Sequence, residues 1–284
     1  MRFWLVAVHW TTAHSKVIRP LIKKQHIAVA TLAIDITDEN FYGYYTDAYL
    51  HPWTGEEGIQ ARYQFAALSL VGKHKTPLLA IPLRRGMAKE EMLRIFLEVA
   101  HRLFKHIRCI LLDAGFYSGE ALTAPQHEKY IIRAPCQEPI KRYIEQTAMH
   151  SSRRWQHTIK WNADKTVHRA ATTIVIVRNK QWKCGEIDCN YATNMKLETG
   201  EDYAQLYSKR WQIETNFRMQ DQARIKSKSV RHIARYFYFR ISMLLHALWL
   251  LFYRTTMPLD QFKIHAANQL FLQQLRLQYT DPVL

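Results

Sequence analysis

Four cysteines in 284 residues are too few, and too scattered, to staple a fold. Cys184 and Cys189 flank what reads as a strand turn. A zinc knuckle needs a second tight pair, and Cys109 and Cys136 do not supply one. All four read as reduced thiols of a cytoplasmic protein, mostly buried. No two histidines stand at i,i+4 beside a glutamate, so a zinc-hydrolase helix is not expected. No secretory leader is evident, because the apolar stretch from Met1 to His9 is short and soon turns polar and basic. The most apolar tract, 241–253, contains His246 and falls short of the ~20 residues that a bilayer span requires. It reads as a core helix, and no membrane partner is expected. Repeats and low-complexity tracts are absent. Acidic residues are also scarce: 24 Asp and Glu face 40 Lys and Arg, a formal charge of +16. Such an excess attracts polyanions at long range, and nucleic acid is the commonest of them.

The length suits one large domain, or one domain carrying an insertion. Residues 1–27 form a mixed, basic segment that suits a helix covering the fold or touching DNA. The apolar run 26–38 reads as a buried strand that ends at Asp35, in Leu32-Ala-Ile-Asp35. Residues 41–50 are aromatic and β-prone, and Gly55-Glu-Glu-Gly58 marks a turn. Residues 62–71 and 78–83 read as further strands, with Pro82 placing the last at an edge or an end. The sheet therefore begins antiparallel. Over 87–106 the apolar residues Met92, Leu93, Phe96, Leu97, Ala100, Leu103 and Phe104 recur at helical spacing. A strand over 107–113 follows, then Ala114-Gly115-Phe116 and a helix start at Ser118. A strand that follows a crossover helix pairs parallel to the first. That pairing brings Asp35 and Asp113 side by side, at the carboxyl ends where open α/β sheets place their ligands. Residues 127–195 read as a β-rich insertion, with strand-like runs at 130–133, 172–177 and 182–187. From Thr199 onward the chain reads as helical, with Thr199 and Asp202 matching an N-cap and its acidic partner. The expected class is α/β: a mixed sheet flanked by helices, its main domain spanning 28–126 and 196–284.

A helix over about 200–222 puts Tyr203, Tyr207, Arg210, Glu214 and Phe217 on one face. A salt-bridged surface helix also carries Arg and Glu at such spacing, but the aromatic company points to the wall of a site. Asp35, Asp113 and Glu214 together offer hard oxygen donors for Mg²⁺ or Mn²⁺, with positions left open for phosphate and water. The nearby acids Asp38, Glu39 and Asp47 lack Asp35's apolar setting and read as solvated surface. Bases beside aromatics, as in Arg153-Arg154-Trp155, Lys160-Trp161, Lys209-Arg210-Trp211 and Arg235-Tyr236, suit stacking on exposed bases. Core packing is the commoner role of each ring.

The tract Tyr207-x-x-Arg210-x-x-x-Glu214 resembles the signature of insertion-sequence DDE transposases, specifically the insertion-sequence-four group with its Tyr-Arg-Glu-Lys pattern. Ala33-Ile-Asp35-Ile-Thr37 is similar to that group's first catalytic aspartate block. Leu112-Asp113-Ala114-Gly115-Phe116 is similar to the second, with Ala114 where Arg is familiar. Thr193-Asn194 resembles the pair that precedes the last helix. The position seven after Glu214, usually Lys, is Asp221, and Arg218 and Arg224 lie close enough to take over its phosphate contact. The resemblance covers about 28–250. It implies an RNase H-like fold and a nucleoid-associated enzyme that cuts double-stranded DNA at transposon ends and joins it to target DNA. It further implies that Asp35, Asp113 and Glu214 are catalytic and hold two Mg²⁺ or Mn²⁺ ions, that Arg210 contacts a phosphate, and that Tyr207 meets the DNA backbone or a displaced base. Trp155, Trp161 and Trp182 lie where that group stabilises a flipped base. The chain reads as a short member without a separate N-terminal DNA-binding domain. Synapsis of two ends favours a homodimer, although monomers also fit. Two other functions match the same residues: a non-catalytic DNA-binding relic or repressor, and a nuclease of this fold that never joins strands.

Overall fold

The computed structural model describes residues 16–43, 46–55, 57–125, 127–163, 165–182, 185–223 and 227–280. A first helix, α1, spans 16–24. The strands are β1 (Val29–Phe41), β2 (Leu50–Pro52), β3 (Ala61–Val71), β4 (Thr76–Pro82), β5 (His106–Leu112), β6 (Tyr130–Arg133), β7 (Ser152–Ala163), β8 (Thr166–Trp182) and β9 (Gly185–Thr193). The remaining helices are α2 (Lys89–Leu103), α3 (Gly119–Thr123), α4 (Ile140–Glu145), α5 (Gly200–Ser208), α6 (Trp211–Ala223), α7 (His232–Leu248) and α8 (Leu259–Thr280). Among the described residues the strands form one mixed sheet in the order β2-β3-β1-β5-β6-β9-β8-β7, with β4 also on β3.

Period-two alternation along β1 divides its side chains between two layers. Ala30, Leu32 and Ile34 point into a core built with α1, α2 and α3, where Ile18, Leu21, Phe96 and Leu122 are buried. Ala33 points the other way, into a core shared with Leu111 of β5 and with Tyr203, Tyr207 and Ile213 of α5 and α6. Asp35 and Asp113 continue the parity of Ala33 and Leu111. Both therefore project toward α5 and α6. Helix α2 is amphipathic, as its spacing predicts, and buries Met92, Leu93, Phe96 and Ala100, each large apolar side chain contributing about 1.5–3 kcal/mol.

β5 does pair in parallel with β1, with Ile34 opposite Leu112. The acids thus stand on adjacent strands. The first strand differs from its expected form. β1 does not stop at Asp35 but runs on to Phe41, because antiparallel β3 pairs with it as far as Phe41↔Ala61. Asp35 marks the point where β5 ends and β1 loses its neighbour on that side. Strand β7 was not legible either. Only Trp155, His157, Ile159, Trp161 and Ala163 of its alternate residues turn inward, and the outward ones are polar or charged. The sheet also runs across the expected boundary at 127: β6 pairs in parallel with β5, and β9 then pairs antiparallel with β6.

α7 and a π-helical turn (Trp249–Tyr253) form one continuous stretch long and apolar enough to cross a bilayer. It is longer than the apolar tract alone suggests. Tyr236, Phe239 and Met243 pack on Phe65 and Ala80 of β3 and β4, and Arg240 and His246 are buried with them, as in the core helix of a folded domain.

The approach to α5 is fixed by local chemistry. Thr193 Oγ1 donates to the Tyr130 carbonyl (2.5 Å) and accepts from Met195 N–H (3.0 Å). Asn194 accepts from Tyr130 N–H (3.1 Å) and donates to the Glu128 carbonyl (2.7 Å). Tyr203 O–H donates to the Met195 carbonyl (3.1 Å). Thr199 and Asp202 close the expected capping box. Thr199→Ala removes that cap and is expected to lower stability by about 1 kcal/mol, or roughly 2–4 °C in thermal unfolding. Thr199→Ser keeps the wild-type midpoint.

Candidate active site

The helix carrying Arg210 and Glu214 is not continuous, contrary to the sequence reading. α5 ends at Ser208, and the Lys209 and Arg210 amides bond to the carbonyls of Leu206 (3.3 Å) and Tyr207 (2.9 Å). These i→i−3 bonds tighten the chain before α6 begins. Gln212 then accepts a hydrogen bond from Gly72 N–H at 2.6 Å, tying α6 to the β3–β4 turn.

The link delivers Arg210 to the centre of the three acids. Arg210 Nη1 lies 2.9 Å from Asp35 Oδ2. Arg210 Nη2 lies 3.1 Å from Glu214 Oε1 and 3.7 Å from Asp113 Oδ1. Asp35 is the innermost, its side chain 16% exposed against 44% for Asp113 and 42% for Glu214. Its other oxygen accepts from Ile36 N–H at 2.8 Å. Burial pushes the Asp35 carboxyl up from its ordinary 3.8 to about 6, although Arg210 and the Ile36 amide pull it down. Asp113 and Glu214 add to the rise. Desolvation pulls the Arg210 pKa down, but Tyr207 and the three carboxylates outweigh it and the net shift is upward. A surface ion pair would depress its aspartate, so the raised Asp35 shows that burial exceeds pairing here.

Tyr207 is buried, and its hydroxyl donates to the Leu112 carbonyl (3.1 Å), one residue before Asp113. Burial pushes its pKa up. It supports the end of β5 from below, and its hydroxyl is committed to that contact rather than turned out to a phosphate or base. Arg210, which the sequence reading aimed at phosphate, is directed to the acids. Arg218 is exposed on α6, where it lines a groove of about 1090 Å³ with Asp221, Lys228 and the β1 end at Asp38 and Phe41. Arg224 lies outside the described residues.

Of the nearby acids Asp38 is exposed, as expected, whereas Glu39 and Asp47 are not plain solvated surface. Glu39 pairs with buried Arg235 (2.5 Å), Asp47 with His232 (2.8 Å), and Asp38 with Arg62 (3.1 Å). They fasten α7 and β3 to the sheet. Trp155 stacks on Tyr143 with ring centres 4.9 Å apart, and Trp161 stacks on His168 at 5.3 Å. Both pack against the main core. The Trp182 side chain is outside those described. Cys109, Cys136 and Cys189 are free, and Cys136 is exposed rather than buried. Cys184 lies outside the described residues.

The group that sequence reasoning missed is Gln212, whose only signal was its place beside Arg210. It also missed that Arg210 joins all three acids. Its i,i+4 spacing to Glu214 disclosed one of the three pairs.

The mixed sheet flanked by helices has an RNase H-like architecture, with acids at the ends of two adjacent parallel strands facing an acid on a helix of the covering layer. A family model described as the transposase DDE domain matches residues 46–250, and the chain belongs to that family. The matched span holds Asp113 and Glu214 and begins after Asp35. Among solved structures, the chain is similar to piggyBac transposase in its synaptic complex with hairpin DNA. The TM-score is 0.61 at 12% identity, over 90% of this chain and 55% of that one. The chain thus spans little more than half the length of that protein. No curated protein matches it.

The raised Asp35 makes a prediction with a definite sign. Below about pH 4 the group is protonated whether folded or unfolded, and its contribution to stability is intact. As the pH rises through about 6 the folded carboxyl must ionise against its burial, and that stability is lost. Asp35→Asn is therefore expected to be more stable than wild type by about 1–3 kcal/mol at pH 8. The gap should narrow at pH 5. Melting curves at the two values check it, and a variant no more stable than wild type at pH 8 contradicts it.

Proposed function

We propose that this protein is an active DDE transposase: it cleaves DNA at the ends of a mobile element and transfers the strand to target DNA. The observation that carries this reading is the convergence of Asp35, Asp113 and Glu214, from two strands and a helix, on a single guanidinium. A DNA-binding relic has no use for three acids held together, and the family match favours the transposase over it and over a nuclease that never joins strands.

The site's donor chemistry fits divalent metal. All three side chains offer hard oxygens, and when ionised they carry three negative charges against one positive charge from Arg210. Among the described residues no three His, Cys, Asp or Glu already stand close enough to form a metal cluster. The acids are instead spaced around the guanidinium. Asp35, Asp113 and Glu214 would hold the metal, which we propose to be two Mg²⁺ or Mn²⁺ ions. When bound, such ions neutralise charge on both the attacking and the leaving oxygen of a phosphodiester. The chain's own part is positional. The Ile36 amide holds the inner carboxylate, Tyr207 holds the end of β5, and Gln212 sets the angle of α6.

The chain's +16 charge favours DNA as substrate, and the piggyBac structure holds hairpin DNA. Arg218 and Lys228, which line the groove along the far end of β1, are suited to the phosphate backbone. Placement in the insertion-sequence-four group is part of the proposal. It rests on Tyr207, Arg210 and Glu214, with Asp221 where that group has Lys. A homodimeric synaptic complex, favoured by the need to bring two ends together, and a nucleoid-associated, cytoplasmic location are also part of the proposal.

DNA carrying the element's terminal inverted repeats is the test substrate. With Mg²⁺ or Mn²⁺, the protein is expected to nick at the repeat ends. Asp35→Asn, Asp113→Asn and Glu214→Gln should each lower cleavage by about 10³-fold or more while DNA affinity persists. Arg218→Ala should weaken binding to all sequences and reduce the salt slope by about one. Undiminished cleavage by the Asp35 variant would sink the reading.

A further inference from the structure

Arg210 spends its fork on the three carboxylates. Nη1 takes Asp35 and Nη2 takes Glu214, with Asp113 at the edge of reach. These are the oxygens that a divalent cation would need. A guanidinium and a hard cation both draw on the same lone pairs, and a carboxylate turned to one is turned away from the other. The side chain is nearly buried, 9% exposed, so no water layer separates it from the acids. Its Nε is buried and has no hydrogen-bond partner, so the head group, and not the base of the fork, carries its bonds to the acids. Its backbone sits in the short i→i−3 link between α5 and α6, outside both helices.

We propose that Arg210 is a resident counter-cation of the acid trio, which a divalent metal ion must displace in order to bind. The inference rests on the reading of Asp35, Asp113 and Glu214 as metal-holding residues. Arg210 acts here as a positioning residue. Without metal it offsets the mutual repulsion of the carboxylates and holds β1, β5 and α6 together. With metal its guanidinium is released toward solvent and becomes available to a DNA phosphate. Arg210 therefore sets metal affinity by competition.

The test uses the full chain and MnCl₂, with binding followed by titration calorimetry and melting curves recorded with EDTA and with Mn²⁺. Arg210→Gln is expected to bind Mn²⁺ about 5- to 150-fold more tightly than wild type, the size of a typical coupling free energy between two bound groups. It should also melt earlier than wild type in EDTA and gain more from Mn²⁺. Weaker or unchanged Mn²⁺ binding by that variant, with Asp113→Asn binding still impaired, overturns the displacement while leaving the metal site standing. Binding that Asp35→Asn and Asp113→Asn leave untouched, or none by any form, overturns the site reading and this inference with it. Where Arg210→Gln does not fold, side-chain NMR of wild-type protein labelled at arginine nitrogen decides, with the Arg210 signal assigned from Arg210→Lys. Added Mg²⁺ should move that signal, and an Arg210 signal unmoved at saturating Mg²⁺ refutes the proposal.

Discussion

One guanidinium among three carboxylates is the constraint around which this fold closes. Asp35 and Asp113 stand on neighbouring parallel strands, and Glu214 comes from the covering helix. Like charges brought so close would repel, and burial makes the repulsion worse. Arg210 answers both difficulties with a planar donor set that reaches the ends of two strands and the helix α6 at once. The compensation is incomplete, because Asp35 remains harder to ionise than a free carboxyl. The site thus gives up stability to keep an ionisable group in place, a pattern common where a protein acts on charge.

The surrounding structure positions these groups by means that have little to do with charge. Sheet parity aims both aspartates at the same layer. The Tyr207 hydroxyl anchors the carbonyl before Asp113, and the Gly72 amide anchors α6 through Gln212. Thr193 and Asn194 stitch β9 to β6 and set where α5 starts, a concrete reason for a threonine and an asparagine at that point. Farther out charge does act: Glu39 pairs with Arg235 of α7, and both line the groove beside Arg218, while Asp47 pairs with His232.

Much of this was legible before any coordinates. The apolar run before Asp35, the amphipathic spacing of α2 and the short strand before Asp113 were enough to infer a parallel pair with two acids at one edge. The capping signal at Thr199 was equally plain. Other features were hidden for physical reasons. β7 was obscured because its outward residues are polar or charged and only alternate positions are covered. The end of β1 was misplaced because its length is set by β3, a partner remote in sequence. The break at Lys209 and Arg210 carries no glycine or proline to announce it. Glu39 and Asp47 looked like turn acids because their basic partners, Arg235 and His232, come some two hundred residues later.

By itself the sequence determined which residues were capable of chemistry: two aspartates that follow apolar strands, a glutamate at helical spacing from an arginine, and a basic surplus suited to a polyanion. Patterns of period two and 3.6 are local, so they survive in a linear reading. Only the tertiary structure decided what Arg210 faces. Spacing along a helix relates it to Glu214 alone, whereas its bonds to Asp35 and Asp113 depend on how a tightened helix link lies across two paired strands. That arrangement is set by long-range packing, and it turned a residue expected to meet DNA phosphate into the cation that holds the acids together.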